Sequence, residues 1–146
     1  MQQQRGFTLL EVMVVIVILG IIASMVVPNL MGNKEKADQQ KVVVDIQQLE
    51  NALDLYKLNN GFYPTTEQGL QALVTQATTE PVPRSFPEGG FVKRLPKDPW
   101  DGEYQLASPG EMGKIDVYSM GPDRTAGTED DIGNWNLDGD SADQQN

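Results

Sequence analysis

Two groups of acidic residues carry the chemistry this chain could perform. The first lies in Gly121-Pro122-Asp123-Arg124-Thr125-Ala126-Gly127-Thr128-Glu129-Asp130-Asp131, where carboxylates stand at both ends of a turn-rich segment. If that segment closes into a loop, Asp123, Asp130 and Asp131 converge. Carboxylates held together repel unless one is protonated or a cation bridges them. Ca²⁺ suits such a loop because it accepts about six to eight oxygens, backbone carbonyls included, in irregular geometry, whereas Mg²⁺ prefers a strict octahedron and retains water. The spacing does not follow the EF-hand pattern, so the residues alone leave a cation site and a plain solvated loop both open. The second is Glu11, a single carboxylate inside the apolar run from Gly6 to Leu30. A carboxylate deep in hydrocarbon costs about 2.5–3.5 kcal/mol. Glu11 therefore calls for a cationic partner, or else it caps the first turn of a helix, where the dipole favours an anion.

Composition narrows the alternatives. The chain has 146 residues, a net charge of −10, and neither cysteine nor histidine. Disulfides, thiolate nucleophiles, Cys/His zinc sites and imidazole bases are thereby excluded. The acidic balance argues against nonspecific nucleic-acid binding, which needs clustered Lys and Arg. A carboxylate enzyme such as a two-acid glycosidase needs carboxylates paired across a cleft, and here the acids cluster in one loop. Beyond the apolar run, the chain is long enough for one domain with a modest core.

The elements that must position these residues follow from periodicity. The run from Gly6 to Leu30 is long enough to span a bilayer, which takes about 20 apolar helical residues. Gly20 and Ser24 form a small-x-x-x-small pair that lets helices approach. Pro28 deprives the Ser24 carbonyl of its usual helical partner, which leaves open either an ordinary kink near the membrane boundary or a weak segment from Gly20 to Pro28 that can stretch or unwind on assembly. Val42, Ile46, Leu49, Leu53 and Tyr56 then recur at steps of four and three, one apolar stripe on a helix. Gly61 is placed to end that helix as its C′ residue. Glu50 and Asp54 stand one turn apart, where like charges repel. Lys57 can relieve them locally, and an intersubunit pairing with Lys93 or Arg94 is the sharper expectation.

Thr65 or Thr66 is expected to cap a short helix, and the Pro-rich stretch from Pro81 to Gly90 reads as a loop. Leu95-Pro96-Lys97-Asp98-Pro99-Trp100-Asp101-Gly102 reads as a rigid turn with Trp100 folded onto the core. Three strands are expected at Glu103–Ala107, Lys114–Met120 and Ile132–Asn136. In the second of these, Ile115, Val117 and Ser119 alternate against Asp116, Tyr118 and Met120. Asp138, Asp140 and Asp143 belong to a solvated tail.

Gly6-Phe7-Thr8-Leu9-Leu10-Glu11 followed by a long apolar run resembles the class III signal of type IV pilins and pseudopilins. The blocks YPTTEQGLQAL, LPKDPW and GPD followed by DDIGNW resemble the major pseudopilins of the type II secretion system, and together the likeness runs from the start of the chain to about Leu137. Adhesive and twitching type IV pilus subunits share the N-terminal motif, but many close their C-terminal region with a disulfide that this chain cannot form. They remain the alternative reading.

The resemblance implies an α+β, type IV pilin-like fold in which the apolar half of a long N-terminal helix spans the membrane or fills a filament core. The amphipathic half packs on a small antiparallel sheet. It implies a leader, residues 1–6, cut after Gly6 by a prepilin peptidase that N-methylates Phe7. It also implies an assembly helix over 7–30 and a head domain over 31–146. Glu11 then pairs with the Phe7 ammonium of a neighbouring subunit. The chain is expected to be a single-pass inner-membrane protein with its head in the periplasm. A count of Lys34, Lys36 and Lys41 against Arg5 and the amino terminus points the other way. The implied partners are further copies of the chain in a helical pseudopilus, the prepilin peptidase, minor pseudopilins and inner-membrane secretion components. The implied cofactor is Ca²⁺, held by Asp123, Asp130 and Asp131 with the backbone carbonyls of Met120 and Thr125.

Overall fold

The computed structural model describes residues 6–138, with backbone only over residues 27–31. The expected leader therefore lies outside the described residues except for Gly6, as do Asp140 and Asp143. The chain divides between Asp38 and Gln39 into two compact units. One 52-residue helix, α1 (Leu9–Asn60), contributes to both.

In the first unit, Thr8 is the N-cap of α1. The Thr8 hydroxyl accepts from the Glu11 amide at 3.3 Å, and the Glu11 carboxylate accepts from the Thr8 amide at 3.0 Å. This reciprocal pair satisfies two donors that a helix start otherwise leaves open. From Leu9 to Val26 the helix is long and apolar enough to cross a membrane, and none of those residues is buried. A Cβ added at Gly20 would meet nothing within 4 Å, so that side of the helix is open to a close neighbour. Ser24 turns its hydroxyl back onto the Ile21 carbonyl at 2.7 Å. The helix runs unbroken through Pro28 in the single chain.

In the second unit, the stripe on α1 is the spine of the core. Val42, Ile46, Leu53 and Tyr56 are fully buried and Leu49 nearly so. They pack with Leu70, Ala72 and Leu73 of a 3₁₀-helix (Leu70–Leu73) and with Tyr104, Leu106, Ile115 and Val117 from the sheet region. Gly61 ends α1 as expected, with a positive φ of 87° and its amide on the Lys57 carbonyl at 2.6 Å. That is the αL cap, which glycine enters without a Cβ penalty. Asn60, at the same end, donates to the Ser85 carbonyl at 3.1 Å and accepts from the Ser85 amide at 2.8 Å, pinning the Pro-rich loop. The 3₁₀-helix follows a turn braced by a second reciprocal pair between Thr65 and Gln68, but its N-cap is Gly69, which has no side-chain cap bond. Neither Thr65 nor Thr66 caps it as expected: the Thr65 pair is spent on the turn and the helix starts a turn later. Trp100 packs against the core.

The sheet is antiparallel in the order β1 (Gln105–Ala107), β2 (Asp116–Ser119), β3 (Ile132–Gly133). All three strands are shorter than the sequence reading, β2 and β3 because side chains capture the backbone at their ends. Before β2, the Asp116 carboxylate accepts the amides of Glu111, Met112 and Gly113 and folds them into a turn. Asp116 is therefore buried at 4% exposure and not on the open face that alternation assigned to it. After β3, the Asn134 side chain reaches across to accept the Val117 amide, and the Asn136 side chain folds back to accept the Gly133 amide. Asparagine side chains compete with the ladder in this way.

Candidate functional site

The acids, bases and apolar residues singled out from the sequence fall into three places. At the start of the chain, Phe7 is 89% exposed and Gly6 stands in open space beside it, so the expected processing bond is accessible. Glu11 is also exposed, and in the single chain its carboxylate caps the helix through the Thr8 amide. This is the local role weighed from the sequence. The side chain of Pro28 lies outside the described set.

On the second half of α1, Glu50 and Asp54 each have a neutral donor within their own unit. Asn134 donates to Glu50 at 2.9 Å and Tyr63 donates to Asp54 at 2.7 Å. Lys57 places its ammonium 4.5 Å from the centroid of the Tyr63 ring, a cation–π arrangement. Lys93 and Arg94 are exposed and border a surface cleft with Gln48, Leu49 and Pro96.

The Asp54 acceptor holds the Tyr63 proton and pushes the phenol pKa up to about 12, with burial a smaller contribution. Burial, aided by a 2.8 Å hydrogen bond to Asp45, raises Tyr104 as well. A pKa higher folded than unfolded favours the neutral phenol in the native state. The resulting stability is complete below about pH 10, the unfolded value, and is lost as pH rises through about 12 for Tyr63. ¹³C-tyrosine NMR titration is expected to show Tyr63 ionising late, and Asp54→Asn to move it back towards its ordinary value. A Tyr63 titration unchanged by Asp54→Asn would contradict the assignment.

The acidic loop occupies the third place. Asp123 accepts the Thr125 amide at 2.9 Å, and one oxygen of Asp131 accepts the Gly127 amide at 2.7 Å. The Thr125 carbonyl accepts from the Thr128 hydroxyl at 3.1 Å. Residues 122–130 are all exposed. Among the described residues no three acidic side chains stand together as a metal-holding group, so Asp123, Asp130 and Asp131 share a loop without forming one shell. One atom nonetheless invites a cation: Asp131 Oδ1 is buried with no hydrogen-bond partner. A buried acceptor left without a partner costs about 1–3 kcal/mol, and a hard cation would remove that cost. The donor set of carboxylate and carbonyl oxygens fits Ca²⁺.

Periodicity missed the buried polar residues that hold this unit together. Asp98 is 5% exposed and accepts the amides of Trp100 and Gly102 at 3.0 and 2.6 Å, while Ser119 donates to its other oxygen at 2.6 Å. The available signal was the Asp-Pro-Trp-Asp-Gly run, since Asp residues bond their own backbone two residues on. Asp116 and Asn134 carried no comparable cue.

An exposed apolar half-helix, continued by an amphipathic half packed on a small antiparallel sheet, is the architecture of an α+β, type IV pilin-like subunit. The family model described as "Type II secretion system (T2SS), protein G" matches residues 29–135, and the "Prokaryotic N-terminal methylation motif" matches residues 1–27. The chain belongs to the type II secretion system protein G family. It is 71% identical over 136 residues to the type II secretion system core protein G of Aeromonas hydrophila, covering 93% of this chain and 95% of that protein. It is 66% identical over 140 residues to the corresponding protein of Vibrio cholerae serotype O1, covering 94% of this chain and 95% of the relative. Its fold matches the crystal structure of the major pseudopilin from the type 2 secretion system of enterohaemorrhagic Escherichia coli. The TM-score is 0.70 at 59% identity, covering 75% of this chain and 96% of that one.

Proposed function

We propose that this chain is a structural subunit of the type II secretion pseudopilus, not an enzyme, and that it polymerises through its N-terminal helix to drive export of folded proteins across the outer membrane. The observation that carries the reading is the Leu9–Val26 segment, apolar apart from Glu11 and a few small residues and without a buried residue, in a chain of the protein G family. Such a segment needs lipid or other helices around it. Prepilin peptidase removes residues 1–6 after Gly6 and methylates Phe7. The helix over 7–30 first anchors the subunit in the inner membrane as a single span, with the head over 31–146 in the periplasm. Minor pseudopilins and inner-membrane secretion components then guide it into the filament.

In the filament, Glu11 exchanges its cap on the Thr8 amide for the Phe7 ammonium of a neighbouring subunit, a charged partner in a low-dielectric core. Pro28, with its preceding turn, lets the helix adjust to its neighbours. Glu50 and Asp54 face Lys93 and Arg94 of an adjacent copy. Asp123, Asp130 and Asp131, with the carbonyls of Met120 and Thr125, would hold Ca²⁺. Bound there, the ion neutralises the clustered charge and ties the chain end to the sheet.

A deletion strain tests the function. Exoproteins are expected to remain in the periplasm, with secretion restored by the wild-type chain. Intact secretion accompanied by loss of surface pili would instead assign the chain to a type IV pilus.

A further inference from the structure

We propose that Asp98 is a positioning residue for the acidic loop, acting through the Ser119 hydroxyl on the loop's first residue, Gly121. Three donors converge on the Asp98 carboxylate: the Trp100 and Gly102 amides on one oxygen and the Ser119 hydroxyl on the other. A serine hydroxyl has one proton. Because Ser119 gives that proton to Asp98, its lone pairs are left to accept the Gly121 amide, which they do at 3.1 Å. The direction of this relay is set by Asp98, which is surrounded by donors alone. Ser119 is fully buried and Asp98 nearly so, so water does not compete for these bonds.

Gly121 is the neck of the loop. Its φ is +66°, and a Cβ placed on it would lie 2.3 Å from the Asp130 carbonyl oxygen. The two ends of the acidic segment therefore cross in contact where the relay terminates. The residues between them are exposed and have no core of their own, so their order depends on the neck. A second brace leads to the same turn: the Arg124 guanidinium donates to the carbonyl of Trp100, whose amide is already held by Asp98. The 98–102 turn thus grips the loop at its neck and on its outer arm. The consequence for cation affinity rests on the calcium reading above; the ordering of the loop does not.

Hydrogen exchange on the full chain in detergent micelles, with calcium chelated, tests this directly. Ser119→Ala removes the relay with little change of volume and is expected to speed exchange of amides in 121–131 about tenfold. Peptides from 42–56 are expected to be unchanged. Asp98→Asn is expected to have a similar effect on the loop, and the double variant to exchange no faster than the faster single variant, because both break one chain of bonds. Loop exchange unchanged in Ser119→Ala would overturn the proposal. So would additive effects in the double variant, the mark of two separate structural roles. Adding calcium to the wild-type chain provides an independent arm. If loop exchange does not slow, the cation assignment fails while the relay is still judged by the chelated samples.

Discussion

Leu53→Ala is expected to destabilise the head by about 3 kcal/mol, whereas Leu58→Ala is expected to change it by less than about 0.5 kcal/mol. The two leucines lie on the same helix, five residues apart, and differ only in which way that helix turns them. Leu53 is fully buried within the stripe and Leu58 is 82% exposed. Truncating Leu53 removes its transfer free energy and leaves a cavity between α1 and the packed elements that cannot fully collapse. A small domain has only about 5–15 kcal/mol to lose, so the first change uses a large part of it. Urea unfolding of the full chain in micelles, followed by the fluorescence of Trp100 and Trp135, both of which lie in the second unit, measures the difference. Equal midpoints for the two variants would contradict the core described above.

Calcium is expected to raise the melting temperature of the wild-type chain by roughly 10–20 °C at about a hundred times its dissociation constant. Saturation of that order contributes about 2.7 kcal/mol, and each kcal/mol moves a domain near 100 residues by about 4–8 °C. Asp123→Ala is expected to abolish the calcium-dependent difference. The variant also loses a bond to the Thr125 amide, so the informative quantity is the shift between calcium and chelator within each protein. Identical wild-type curves in calcium and chelator would remove the ion from the account and leave Asp131 Oδ1 to another partner.

What could be read from the sequence was whatever depends on neighbours a few residues away. The five-residue stripe on α1, the cap at Gly61 and the packing of Trp100 all follow from helix period and turn chemistry, and all are present, whereas Thr65 braces a turn and the short helix begins only after Gly69. The three strands were found in order but drawn too long. The ends of β2 and β3 are set by Asp116 and Asn136, which capture backbone amides three to five residues away, and by Asn134, which accepts the Val117 amide 17 residues away, a competition that strand alternation does not show. For the same reason Asp98 was read only as part of a turn. Its partner Ser119 is 21 residues away, and no local pattern announces such a bond. Glu11 illustrates the converse. Its helix cap is written in Thr8-Leu9-Leu10-Glu11, while any partner in a neighbouring subunit lies outside a single chain.

Everything proposed for the apolar helix requires that it be kept in the mature protein. The most direct measurement is the intact mass of the chain extracted from membranes. The account predicts a mature protein that begins at N-methylated Phe7 and retains the whole helix. A mature protein beginning near Ala23-Ser24, with the apolar run removed as an ordinary signal, would contradict it.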